Sequence, residues 1–224
     1  MATSTKIDYK KEFKDLYLPK TKPALIEVPS MPFIMIAGKG DPNEMDAEYQ
    51  HAMEVLYGLS YTIKMRKMSD KPLEGYFEYV VPPLEGLWWI DGYIFDGRPI
   101  QDKSKFEWIS MIRQPDFVTS SIFEWAKSEL GKKKPHLDFS QTRFEAFEEG
   151  LCAQVMHRGP YDEEPATIEK LDAFISEEGC VPDISDQLEA FPIQRRHHEI
   201  YLGDPRRTKP ENLKTVIRHP VKRK

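Results

Sequence analysis

Met111-Ile112-Arg113-Gln114-Pro115, midway along the chain, returns near its end as Val216-Ile217-Arg218-His219-Pro220. The elements around the two segments repeat as well. In the first half, the apolar run Phe33–Ala37 stops at Gly38-Lys39-Gly40-Asp41-Pro42, which reads as a buried strand followed by turn chemistry. Asn43 or Asp46 is placed to cap a helix in which Tyr49, Met53, Leu56 and Tyr57 recur at helical spacing up to Gly58. Tyr76–Val81 alternates like a strand until Pro82-Pro83 breaks it, and Leu87–Ile90 and Phe106–Arg113 read as two more strands. Ile122–Leu130 is predicted as a helix closed by Gly131. In the second half, Leu151–Arg158 is a strand ended by Gly159-Pro160. Glu163–Glu178 follows as a helix whose buried stripe is Ile168, Leu171, Ala173, Phe174 and Ile175, with Gly179 as its stop. His197–Leu202 and Lys214–Pro220 complete the set. The order strand, helix, strand, strand thus occurs twice.

The fold expected from this order is α+β. Duplicated βαββ units are related by a pseudo-twofold axis, with antiparallel sheets, helices on one face and a ligand groove between the repeats. Residues 1–30 read as an extended N-terminal arm on the surface, carrying Pro19, Pro23 and Pro29. Residues 31–221 form a single domain: first repeat 31–116, connecting helix and linker 117–142, second repeat 143–221, and then a basic tail at 222–224.

Composition narrows the function. A chain of 224 residues can bury about 70 % of its unfolded surface, so it needs no disulfide or metal to fold. It is 40 % hydrophobic and 31 % charged, the balance of a soluble globular domain. The net charge of −5 disfavours nucleic acid as a partner, since phosphate binding needs a concentrated positive surface. Cys152 and Cys180 stand far apart with no CxxC, which argues against a disulfide scaffold or a cysteine zinc site and fits a reducing cytosol. Neither an apolar leader segment nor an apolar run near the ~20 residues of a membrane span is present, so a cytoplasmic protein with no membrane partner is expected. There is no P-loop, GxGxxG or GxSxG, and no cofactor is expected. The oligomeric state is left open.

Five segments resemble the stand-alone GyrI-like small-molecule-binding proteins. They are Lys39-Gly40-Asp41-Pro42-Asn43, Pro82-Pro83-Leu84-Glu85-Gly86-Leu87-Trp88-Trp89, Met111–Phe117, Gly159-Pro160-Tyr161 and His198-Glu199-Ile200-Tyr201-Leu202-Gly203-Asp204-Pro205. The similarity spans nearly the whole chain. It implies a duplicated βαββ fold with an aromatic groove for flat, apolar small molecules. The same module senses ligands in multidrug-responsive MerR-type and AraC-type regulators, but two repeats and an arm leave no length here for a helix-turn-helix. Some stand-alone relatives of this branch hydrolyse cyclopropane-bearing DNA alkylators of the yatakemycin and duocarmycin type. The resemblance therefore implies either such a detoxifying hydrolase or a non-catalytic binder that sequesters planar or cationic drugs or modulates a protein partner.

The candidate residues follow. Period two in His197–Leu202 puts His197, Glu199 and Tyr201 on one face and His198, Ile200 and Leu202 on the other. If Ile200 and Leu202 take the helix-covered side, Glu199 and Tyr201 face the groove. The resemblance places the family's acidic groove residue at this same Glu199. A desolvated carboxylate there is expected to have a raised pKa and to act as a base. Glu169, beside the buried stripe of the second helix, is the candidate second carboxylate, and Tyr161 the candidate proton source at the groove mouth. Trp88 and Trp89 point to opposite faces. If Leu87-Trp88-Trp89 corresponds to Ile200-Tyr201-Leu202, Trp88 is the one in the groove. Trp108, Met111, Phe33, Met35 and Tyr57 are further wall candidates, because flat rings and polarisable sulfurs suit a planar aromatic ligand. His197 and His198 point apart and cannot chelate one ion, so no metal is expected.

Overall fold

The computed structural model describes residues 6–44, 48–66, 73–96, 98, 100 and 102–224, so the candidate cap Asp46 lies outside the described residues. The elements in chain order are α1 (Tyr9–Glu12), α2 (Lys14–Tyr17), β1 (Ala24–Val28), β2 (Met31–Lys39), α3 (Glu48–Met65), β3 (Leu84–Trp89) and β4 (Glu107–Arg113). There follow α4 (Ser120–Lys133), β5 (Thr142–Phe147), β6 (Gly150–Arg158), α5 (Glu164–Glu177), β7 (Cys180–Pro182), β8 (His197–Tyr201) and β9 (Lys214–Arg223). Among the described residues the strands form one sheet in the order β1-β6-β9-β8-β3-β4-β2-β5, with β7 added to the far end of β9. All named pairs are antiparallel. The first-half strands β2, β4 and β3 thus lie on one side and β6, β9 and β8 on the other. The two groups meet where β3 pairs with β8.

Register settles what each face carries. Ile36, Ser110, Gly86, Glu199, Ile217 and Val155 are successive partners across β2, β4, β3, β8, β9 and β6. They therefore share a face. On that face Ile34, Ile36 and Ile112 bury against Ala52, Val55, Leu56 and Leu59 of α3 and Phe123 and Ala126 of α4. Ala153, Val155 and Ile217 bury against Ile168, Leu171 and Ile175 of α5. The opposite face carries Phe33, Met35, Leu87, Trp89, Ile109, Met111, Ile200 and Val216 beneath Tyr9, Leu16, Tyr17 and Tyr79.

Local chemistry explains the helix ends. Thr119 caps α4 by accepting from the Ile122 N–H, and Lys132 and Lys133 sit in its last turn, where the helix dipole favours cations. Gly58 does not stop α3. A Cβ at that position would come within 2.7 Å of Leu130 Cδ2, so the glycine permits the close approach of α4 and the helix runs on to Met65. Gly131 likewise lies inside α4.

Three further expectations are corrected. Tyr76–Val81 is no strand; only Tyr79 forms a bridge, to Ile7, because this segment packs on the sheet face rather than joining its edge. Residues 6–30 are not simply an extended surface arm. They form two short helices and β1, which pairs with β6, and they cover the sheet face opposite the long helices. β5 pairs with β2 within a stretch read as linker and repeat start, and the basic chain end is strand through Arg223. No helix among the described residues is long and apolar enough to cross a membrane.

A charged network locks the arm to this opposite face. Glu149 is bonded to His198 Nδ1 (3.0 and 3.1 Å) and to Arg218 Nη1 (3.2 Å). Glu85 Oε2 lies 3.1 Å from His198 Nε2, and its other oxygen accepts from the Tyr17 hydroxyl at 3.2 Å. Arg218 also donates to Gln154 and to the Leu16 carbonyl, which is how the arm is held. All these side chains are buried. Burying two carboxylates and two cations is tolerable only because each charge meets its opposite.

Stability should follow pH accordingly. Burial opposes ionisation of Glu149, but His198 and Arg218 outweigh it and hold its pKa down to about 2 from 4.5. Burial likewise opposes charge on His198, but Glu149 and then Glu85 raise it to about 9 from 6.5. The Glu149 contribution is complete above 4.5 and lost as pH falls toward about 2. The His198 contribution is complete below 6.5 and lost as pH rises through about 9. The thermal unfolding midpoint is therefore expected to be highest between pH 4.5 and 6.5, with His198→Gln flattening the alkaline limb. A wild-type midpoint that climbs steadily from pH 7 to 9 would contradict this.

Candidate functional site

Glu199 stands at the middle of β8, opposite Gly86 on one side and Ile217 on the other, and its side chain is 14 % exposed. Its Oε1 lies 2.9 Å from His197 Nε2, and its Oε2 accepts from the Tyr201 hydroxyl at 2.6 Å. The Tyr201 oxygen in turn accepts from Trp88 Nε1 at 2.9 Å. A third group reaches Glu199 from the helix above: the buried carboxyl of Glu164, the first residue of α5, stands close enough for the two carboxyls to share a proton. The turn that delivers Glu164 is fixed by His157, whose ring nitrogens meet Thr167 Oγ1 at 2.8 Å and the Pro160 carbonyl at 3.1 Å. Gly159 makes the turn possible with φ of 126°.

The two carboxyls are driven apart in acidity. On Glu164, burial and then the charge of Glu199 push the pKa well above 4.5. On Glu199, burial pushes up, but the hydrogen bonds from His197, Tyr201 and Glu164 prevail and the pKa falls below 4.5. The two directions favour Glu164 as the carrier of the proton and Glu199 as the ionised member of the pair. The rise expected for Glu199 falls on its partner instead. A carboxylate offers about four lone-pair sites, and three are taken here, which leaves one for a water or ligand.

Aromatic rings surround the pair. Tyr49 of α3 lies edge-on to Trp108 at 5.1 Å and 5.8 Å from Trp88. Tyr161 meets Tyr201 edge-on at 5.8 Å, and its phenol is pushed up to about 12 by burial and then by Glu164 and Glu199. Phe95 stacks on His197 at 4.2 Å. Tyr57, 37 % exposed, stands on α3 near Asp204.

Of the residues singled out in the sequence, Glu199, Tyr201, Trp88, Trp108 and Tyr161 come together, with Tyr57 at the rim. Trp89, Phe33, Met35 and Met111 lie on the other face of the sheet. Trp89 donates to the Leu188 carbonyl at 3.1 Å and stacks under Arg196 at 3.8 Å, while Met35 and Met111 are paired neighbours in the core beneath the arm. Glu169 is exposed. Five positions on from Glu164, it points about 140° away around the helix. The assignment of faces is also corrected: Ile200 packs beneath the arm, and Glu199 faces the helices, with α3 and α5 to either side.

Sequence reading missed Glu164, Tyr49 and His197 as parts of the site. A signal for Glu164 exists: a glutamate opening a helix directly after Gly159-Pro160-Tyr161 is aimed by that turn. Two surface hollows of about 280 and 290 Å³ lie elsewhere, one between the arm and β1 and one beside Trp89, and neither is lined by the carboxyl pair. Among the described residues no group of three or more His, Cys, Asp or Glu is arranged to hold a metal ion.

Comparison with known proteins agrees with this architecture. The family described as the GyrI-like small molecule binding domain matches residues 21–222. An uncharacterized conserved protein from Listeria innocua is 47 % identical, with a TM-score of 0.87 over 97 % of this chain and 100 % of its own. A Listeria innocua protein described as a hydrolase is 46 % identical, with a TM-score of 0.83 over the same shares, 97 % and 100 %. The C-terminal domain of EcmrR shares the fold at 11 % identity, with a TM-score of 0.50 over 90 % of this chain and 98 % of that domain. No curated protein matches the chain.

Gly86 tests the geometry directly. A Cβ there would lie 2.6 Å from Trp88 Nε1 and 3.3 Å from the Tyr201 hydroxyl. Gly86→Ala should displace the indole, break its bond to Tyr201 and cost about 1–3 kcal/mol in urea unfolding, the range for overpacking. The near-UV circular dichroism should change with it; an unaltered spectrum and midpoint would show that the indole is not held as described.

Proposed function

We propose that this chain, which belongs to the GyrI-like small-molecule-binding family, takes a planar aromatic ligand above the Glu199–Glu164 pair and hydrolyses strained cyclopropanes of the yatakemycin and duocarmycin type. The observation that carries the reading is the carboxyl pair itself, buried among aromatic rings, with Glu164 pushed toward its protonated form and Glu199 held toward its ionised one. The description of a close relative as a hydrolase supports the reaction class. The order β2-α3-β3-β4 followed by β6-α5-β8-β9, meeting at the β3–β8 seam, supports a duplicated unit with the cleft between its copies.

In the proposed reaction, Trp88, Tyr49 and Tyr161 hold the flat substrate. Water occupies the free lone-pair site of Glu199. As its oxygen bonds to the less hindered cyclopropane carbon, Glu199 takes one of its protons. The ring C–C bond breaks, and its electron pair flows into the conjugated dienone, which becomes a phenolate. Glu164 gives up its proton to the phenolate, through Tyr161 or directly. One water is added, and the pair again holds one proton, now on Glu199, which returns to Glu164 across their hydrogen bond. Glu199 is a weak base, but ring strain and aromatisation supply the driving force. General acid and general base each contribute about 10²–10⁴-fold, and fixing the water adds to this. The outcome is detoxification of a DNA alkylator.

The test is mass spectrometry of a duocarmycin-type compound in molar excess over protein. The expected result is a ring-opened, water-added product well beyond one equivalent. Glu199→Gln should slow it by at least about 10²-fold, and Glu164→Gln should remove the alkaline limb of the pH–rate profile, where the shared proton is lost. Compound recovered intact, with one equivalent retained by the protein, would replace hydrolysis with sequestration.

A further inference from the structure

Behind Glu199, away from the aromatic rings, a second polar chain runs through the helix-side interior. His197 Nε2 meets Glu199 Oε1 at 2.9 Å, and His197 Nδ1 meets His219 Nε2 at 2.8 Å. His219 Nδ1 then lies 3.5 Å from Asp172 Oδ1 on α5, an ionic separation rather than an aligned hydrogen bond. Both histidines are fully buried, whereas the Asp172 side chain is 30 % exposed. Facing His197 are Glu199, His219 and the Phe95 ring; facing His219 are His197 and Asp172.

Each histidine-to-histidine bond needs one N–H and one bare nitrogen, so the chain has a direction. An ionised Glu199 offers only acceptors and requires His197 Nε2 to carry its proton. If His197 is neutral, its Nδ1 is then bare and must receive the N–H of His219 Nε2. Asp172 stands at the outer end of the chain without a hydrogen bond to His219, so the direction of the chain is set from its inner end, by Glu199. We infer that His219 is a positioning residue: it fixes His197 in the Nε2–H tautomer and thereby holds Glu199 ionised, with its remaining lone pair free for the ligand or water. This rests on the proposed function for its use, but not for its test. His219 does not touch the cleft, and nothing in the sequence patterning pairs it with His197, 22 residues earlier.

The test is ¹⁵N NMR of histidine rings in the ligand-free protein. The expected spectrum shows His197 with a protonated Nε2 and a bare Nδ1, and His219 with a protonated Nε2. In His219→Leu the donor is gone, and His197 should become a mixture of tautomers. In His219→Gln, whose amide N–H can replace the imidazole donor, the Nε2–H tautomer should return. If the protein turns over the cyclopropane compound, the acid limb of the rate profile should move to higher pH in His219→Leu, as the His197 donor to Glu199 is no longer fixed, and be restored in His219→Gln. A bare Nε2 on His197 in the wild type, or a tautomer indifferent to His219→Leu, overturns the inference and leaves hydrolysis standing. The expected tautomers in a protein that hydrolyses nothing would leave the inference intact and sink the proposed reaction.

Discussion

A charge placed on the floor of a sheet has no water to solvate it, so the protein must do so, and Glu199 is that charge. Its place at the β3–β8 seam lets its own strand, the neighbouring strand and the helix above all contribute to solvating it. Tyr201 and His197 are its neighbours two residues either way on β8, Trp88 steadies Tyr201 from β3, and Glu164 descends from α5. Gly86, directly opposite, is what leaves space for the Trp88–Tyr201 bond. Removing any one of these leaves a buried carboxylate short of a donor, which costs more than the lost bond itself.

The same strand solves the opposite problem on its other side. His198 turns away from the cleft into the Glu149–Arg218–Glu85 network that pins the arm. One histidine of the pair is thus kept charged between two carboxylates, while burial lowers the pKa of the other below 6.5 despite its bond to Glu199. Adjacent residues of one type receive opposite electrostatic fates because alternation sends them into differently composed interiors. The arm side resists change by matching charge with charge. The cleft side carries an unbalanced negative charge, which is a cost in folding and a resource for binding.

Much of this was legible in the sequence. Strand–turn–helix punctuation located β2, β6, α5, β8 and β9 within a few residues, and period two correctly separated His197 from His198. Alternation does not say which face is covered by what, however. Ile200 was assigned to the helix side because aliphatic residues suit a covered face, but both faces are covered here, one by helices and one by residues 6–18 and 73–83. Met35, Met111 and Phe33 looked like wall residues from side-chain chemistry alone, which suits a buried core equally well. Glu164 escaped because its role depends on a turn, and Tyr76–Val81 misled because alternation there serves packing against a sheet rather than pairing within one.

The division of labour between the two carboxyls has a consequence for specificity. A site with one proton shared by two acids can meet a neutral ligand by offering the Glu164 hydroxyl, or a cation by releasing that proton, so charge alone discriminates poorly. Discrimination must then come from shape: the rings of Tyr49, Trp88, Trp108, Tyr161 and Tyr201 are held edge-on and tilted to one another rather than free to rearrange. Under the proposed function, rings fixed in this way favour flat partners of matching outline, and the cost of ordering the protein is already met in folding. On the proposed reading, what separates a substrate from a mere ligand in such a cleft is small. It is whether the bound molecule leaves the last lone pair of Glu199 to a water, and whether an electrophilic carbon lies beside it.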